Sequence, residues 1–125
     1  MSSGARKKLF AGLAVAWTIG IALLAGSPTA DVPGPIPHFD KILHFGAFAL
    51  LSLLIAFSTP RRKFLWIVVL PGFYGLAIEV FQALTNYRKG EFSDLSADLI
   101  GCLLVYICYI LYRKHGKNSS PGHRD

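Results

Sequence analysis

Charge is scarce in this chain. Asp, Glu, Lys and Arg make up 16% of its 125 residues, against about 25% in an ordinary soluble domain. Apolar residues, at 53%, fill the gap in long runs, which argues against a water-soluble globule. Strict apolar–polar alternation is missing too, and that excludes the strands of a membrane barrel. Only two cysteines occur, Cys102 and Cys108, with no CxxC pair. On one helix they point about 120° apart, so they cannot bridge each other and are read as buried apolar fillers. No glycine-rich phosphate loop is present, which removes the usual nucleotide site. No basic stripe interleaves with aromatics, so the net charge of +6 is not a nucleic-acid signal.

Four apolar runs remain: residues 9–26, 42–58, 64–85 and 95–112. A membrane-crossing helix needs about 20 mainly apolar residues, within a range of about 17–25. The chain is therefore expected to be an all-α membrane protein, a single four-transmembrane-helix bundle. Residues 1–8 form a basic N-terminus and 113–125 a polar tail, of which Lys117 to Asp125 is expected to be disordered. The stretch from Gly26 to Ala30 could follow a signal peptide. The preceding apolar run is longer than the about 7–15 residues such peptides use, so it is read as a retained span.

The loops set the orientation. Arg6, Lys7 and Lys8 precede the first run, Arg61, Arg62 and Lys63 join the second and third, and Arg113, Lys114, Lys117 and Arg124 follow the fourth. Basic loops stay in the cytoplasm, so both termini are expected there, with a weak attraction to anionic lipid on that face. The opposite loops hold only Lys41, Arg88 and Lys89. One of them carries Pro28, Pro33, Pro35 and Pro37, and reads as a stiff outer spacer. Gly12, Ala16 and Gly20 make a small-residue stripe on helix one, and Ala97 and Gly101 a shorter one on helix four. Such stripes let backbones approach closely. Packing within the chain is expected, and a homodimer through Gly12, Ala16 and Gly20 is the alternative. Pro71, with Gly72 and Gly75, is expected to kink helix three.

Polar groups in hydrocarbon are expensive and usually functional. Here they gather at the outward ends of three spans. Asp40 and His44 are four apart on helix two, with Lys41 beside them. Asp40 also suits an N-cap. Glu79 and Gln82 share a face of helix three, with Glu79 about 9 Å below the helix end at Thr85. Asp94 opens helix four and Asp98 lies one turn deeper. These two like charges tolerate each other best with a cation nearby. Three readings compete: a structural network locking the helices, an outward-facing binding or catalytic site, and a proton or cation relay. The binding site is preferred, because the ionisable groups exceed what packing needs. A magnesium, calcium or manganese ion held by His44 and carboxylates is one version of it, although no metal or other cofactor is assigned from the sequence.

The ordered set Asp40-Lys41-x-x-His44-Phe45, Tyr74-Gly75, Glu79-x-x-Gln82, Arg88, Ser93-Asp94 and Asp98-x-x-Gly101 resembles the VanZ-like family over about residues 38–112. The resemblance implies a small bacterial integral membrane protein, multi-pass in the cytoplasmic membrane. The family's namesake is associated with resistance to teicoplanin, which acts on cell-wall precursors outside the membrane. One departure is visible: Asp98 stands where the family usually has Asn. On this reading the site binds or modifies an envelope component, such as a lipid-linked precursor. Lys41 and Arg88 would hold its phosphate or carboxylate. Asp40, Gln82, Asp94 and Asp98 would complete the binding surface, and Glu79 and His44 would form an acid/base pair. The alternatives are a non-enzymatic scaffold for envelope or polysaccharide machinery, and a small proton- or cation-linked transporter. The absence of an internal repeat weakens the last.

Overall fold

The computed structural model describes residues 1–26, 39–59, 64–85 and 92–118. Helix α1 runs Ser3–Ala25, α2 Phe39–Ser58, α3 Leu70–Leu84 and α4 Phe92–Asn118. A π-helical stretch, Leu65–Val69, leads into α3. All four apolar runs are therefore helical, and the four helices are long and apolar enough to cross a membrane. Helix four outlasts the apolar run, continuing six residues past Tyr112 to Asn118. The proline-rich spacer and the Arg61–Lys63 loop lie outside the described residues.

Consecutive helices run in opposite directions. Phe10, near the start of α1, stacks on Phe57 at the end of α2 with ring centroids 5.1 Å apart. Phe64, just before the π stretch, meets Tyr106 in the second half of α4 edge-on at 5.2 Å. The beginnings of α2 and α4 and the end of α3 thus share one end of the bundle. Many large apolar side chains, including Leu23, Phe73, Leu84 and Tyr112, face outward. A bundle dissolved in lipid has no reason to hide them.

Close packing depends on glycines other than those of the helix-one stripe. A Cβ on Gly101 would lie 2.5 Å from the Phe45 carbonyl oxygen and 3.1 Å from the Ala49 nitrogen. Helices α2 and α4 therefore touch backbone to backbone, as the small pair in helix four predicts. Gly75 instead makes room for side chains, the Phe48 ring and the Asp98 carboxylate. Gly12 and Gly20 have nothing within 4 Å of an added Cβ, and Ala16 is exposed. The expectation that this stripe packs inside the chain is therefore corrected. Helix α1 is held by side chains reaching backbone carbonyls instead. The Trp17 indole donates to Ala47 at 2.9 Å, the Tyr74 hydroxyl to Thr18 at 2.6 Å, and the Gln82 amide to Ala25 at 3.3 Å. Cys102 is a buried filler as expected, but Cys108 is exposed and fills no core.

Pro71 acts through the π stretch. Its ring has no N–H for the carbonyl four residues back, that of Ile67. One register adjustment is visible in Leu70, whose N–H bonds five residues back to Leu65, the π pattern. The buried Ser52 hydroxyl donates to the Ile67 carbonyl from α2. Replacing Ser52 by Ala is expected to cost about 1 kcal/mol, read as a lower thermal midpoint in detergent. An unchanged midpoint would mean that the Ile67 carbonyl is satisfied without Ser52.

Candidate functional site

The polar residues of three helices converge at the shared end of the bundle. Each arrives there for a local reason. Asp40 and Asp94 occupy the first turns of α2 and α4, where a carboxylate meets the positive end of the helix dipole. Asp40 is inside that turn rather than capping it, because α2 already starts at Phe39. His44 and Asp98 follow one turn later on the same faces. Because α2 and α4 run side by side from the same end, these two pairs stand opposite each other.

The contacts form a chain. Lys41 Nζ donates to Asp40 Oδ2 at 2.7 Å and to Asp94 Oδ1 at 3.0 Å. His44 sits between the two aspartates of α4. Its Nε2 is 3.6 Å from Asp94 Oδ2, and its Nδ1 is 2.9 Å from Asp98 Oδ1. The cation that the Asp94–Asp98 pair calls for is thus supplied by Lys41 outside and the titratable His44 inside. Exposure falls along the same line. The side chain of Asp40 is 58% exposed, that of Asp94 10% and that of Asp98 1%. The cluster has an exposed rim leading to a buried floor.

Glu79 belongs to the floor. It is buried, and its carboxylate can be placed with a His44 ring nitrogen and an Asp98 oxygen so that all three atoms lie within 4.8 Å of one another. The sequence spacing of Glu79 and Gln82 suggested joint action, but the side chains diverge. Gln82 is buried and turns to α1, where it donates to Ala25 near the helix end. Arg88 lies outside the described residues. Among the described residues the cluster holds Asp40, Glu79, Asp94 and Asp98 against Lys41 and His44, so it is rich in negative charge.

Sequence reasoning missed two roles. Gly75 provides the space for Asp98: a Cβ there would lie 2.9 Å from Asp98 Oδ2 and 3.2 Å from the Phe48 ring. The sequence presents it as a helix-loosening residue near Pro71 and as part of the Tyr74-Gly75 motif, neither of which says what it makes room for. Ser52, which serves the Ile67 carbonyl and not the cluster, was also missed; a polar residue in the middle of an apolar run is itself the signal that could have found it.

Known proteins bear on this arrangement in three ways. No solved structure matches the chain. A curated protein of the fission yeast Schizosaccharomyces pombe, described only as uncharacterized, is 39% identical over 84 residues, which is 64% of this chain. The match takes in 52% of the yeast protein, so the chain spans about half the length of that relative. The VanZ/LLP1 family profile matches residues 5–113, which takes in helix α1 as well as the three helices that build the polar cluster. A multi-pass membrane bundle, the ordered motif and this match together establish that the chain belongs to the VanZ/LLP1 family.

Proposed function

We propose that the polar end of the bundle faces the outer aqueous side of a bacterial cytoplasmic membrane and binds, or chemically modifies, a component of the cell envelope. The observation that carries this reading is the burial of Asp98 and Glu79 beside His44. Burying ionisable groups is costly, and membrane helices pack without them. The rim, with Asp40 and Lys41, meets the ligand first. Lys41 already serves two carboxylates, so it can exchange one of them for an anionic group of the ligand. Glu79 and His44 have ligand atoms within 4.8 Å of each other, so a proton would pass between them through one water or a group of the ligand if the ligand is modified. A change in teicoplanin susceptibility would follow from action on wall precursors.

The test compares cells making the wild-type protein with cells making Glu79→Gln or His44→Gln at equal membrane levels. The expected result is that both variants return teicoplanin susceptibility and envelope-stress growth to those of cells lacking the protein. Variants indistinguishable from wild type would sink the proposal. A second reading, a non-enzymatic scaffold, is favoured by the outward-facing Gly12 and Gly20. It predicts the reverse pattern, with Gly12→Leu and Gly20→Leu losing the phenotype and Glu79→Gln keeping it.

A further inference from the structure

The floor of the polar cluster combines one imidazole with two buried carboxylates. His44, Glu79 and Asp98 can each bring one ligand atom within 4.8 Å of the other two. Metal–nitrogen and metal–oxygen bonds are about 2.0–2.2 Å, so ligand atoms around one ion end up about 3–4 Å apart. A contraction of about 1 Å, within reach of side-chain rotation, closes the set. Asp98 supplies an independent pointer. Its side chain is 1% exposed, and while Oδ1 meets His44, Oδ2 is buried with no hydrogen-bond partner among the described residues. That oxygen faces Gly75, one turn from Glu79 on the same face of α3. It therefore points toward the helix face that carries the second carboxylate.

We infer that His44, Glu79 and Asp98 bind one divalent transition-metal cation, of the manganese or zinc class, at the floor of the polar end. Two carboxylates and an imidazole form a donor set between the oxygen cages of magnesium or calcium and the nitrogen–sulfur sites of softer metals. Charge favours a cation at the floor. A divalent cation neutralises ionised Glu79 and Asp98, while above it Lys41 lies between Asp94 and the exposed Asp40. His44 ligates through Nδ1, the nitrogen nearest Asp98. The ring then keeps its proton on Nε2, beside Asp94 Oδ2. A ligating histidine oriented by a carboxylate on its other nitrogen is the usual outer support of a metal site. Lys41 in turn fixes Asp94. The ion would give the proposed envelope ligand a Lewis-acidic contact at the bottom of the site.

This inference rests on reading the cluster as a binding site, but its test does not need the envelope ligand. Purified full-length protein in detergent, with its tag removed and stripped by chelator, is titrated with manganese. Binding is followed by electron paramagnetic resonance and by equilibrium dialysis, with zinc as competitor. One tightly held manganese per chain, displaced by zinc, is expected. Glu79→Gln and Asp98→Asn should each weaken binding at least about tenfold. His115→Gln, at the far end of α4, should leave it unchanged. A wild-type protein that holds neither ion overturns the inference, and this arm stands even if a variant fails to fold. Equal affinity in wild type, Glu79→Gln and Asp98→Asn overturns it as well. Metal binding without a teicoplanin phenotype would keep the metal site and reject the envelope reading. The opposite outcome would do the reverse.

Discussion

Gly101→Ala is expected to destabilise the bundle more than any other single-methyl addition to the described glycines. In an ordinary helix this change is favourable by about 1 kcal/mol. Here the new Cβ would stand 2.5 Å from the Phe45 carbonyl oxygen and 3.1 Å from the Ala49 nitrogen. Both are backbone atoms, so no rotamer change can move them aside. The α2–α4 pair must separate, and with it the His44–Asp98 and Lys41–Asp94 contacts that cross the same interface. A net loss of about 2–3 kcal/mol is expected. The matched control is Gly12→Ala, where the added Cβ meets nothing within 4 Å. It should leave the protein equally stable or slightly more so. Thermal unfolding of both variants in one detergent reads the contrast. Equal midpoints would mean that α2 and α4 do not touch at Gly101.

The second large effect is expected at His44. His44→Leu removes the partner of Asp98 Oδ1 and leaves a carboxylate whose side chain is 1% exposed. Breaking a buried pair by removing one member costs about 3–5 kcal/mol, less whatever the carboxyl regains by taking up a proton. Replacing both members should cost far less. Leu nearly matches the shape of Asp, and a buried ion pair exchanged for apolar side chains is often neutral. The double variant His44→Leu, Asp98→Leu is therefore expected to recover most of the lost stability, a coupling above about 1 kcal/mol. A stable double variant that binds no manganese and gives no phenotype would separate the cluster's function from its role in folding. Additive losses would show that His44 and Asp98 do not act as a pair.

Much of this was legible in the residues. Apolar run length gave four spans because hydrocarbon leaves a backbone no partner but itself. The four-residue spacing of Asp40 with His44, and of Asp94 with Asp98, put each pair on one helix face. The helical period alone required that. The bulk of α2, α3 and α4 could be recognised because the ionisable groups within their apolar stretches are those of the site. Helix ends were less legible: α4 runs on to Asn118, because Arg, Lys and His extend a helix beyond the bilayer as readily as apolar residues fill it.

The partners could not be read in the same way. Small-residue spacing marked both Gly12–Ala16–Gly20 and Ala97–Gly101, yet of the glycines in them Gly101 meets a neighbour's backbone while Gly12 and Gly20 meet nothing. Spacing says that a face is smooth and not which way it turns. Gln82 stood beside Glu79 in sequence and was drawn to α1 instead, since an amide can satisfy any exposed carbonyl within reach. By itself, then, the sequence determined the helices, their membrane character, the faces that carry charge and the family motif. These follow from local periodicity and from the transfer cost of polar groups. Only the tertiary structure decided that His44 lies between Asp94 and Asp98, that Glu79 joins them and that Gly75 makes their room. Those are distances between helices, set by which side chains and backbones can come together.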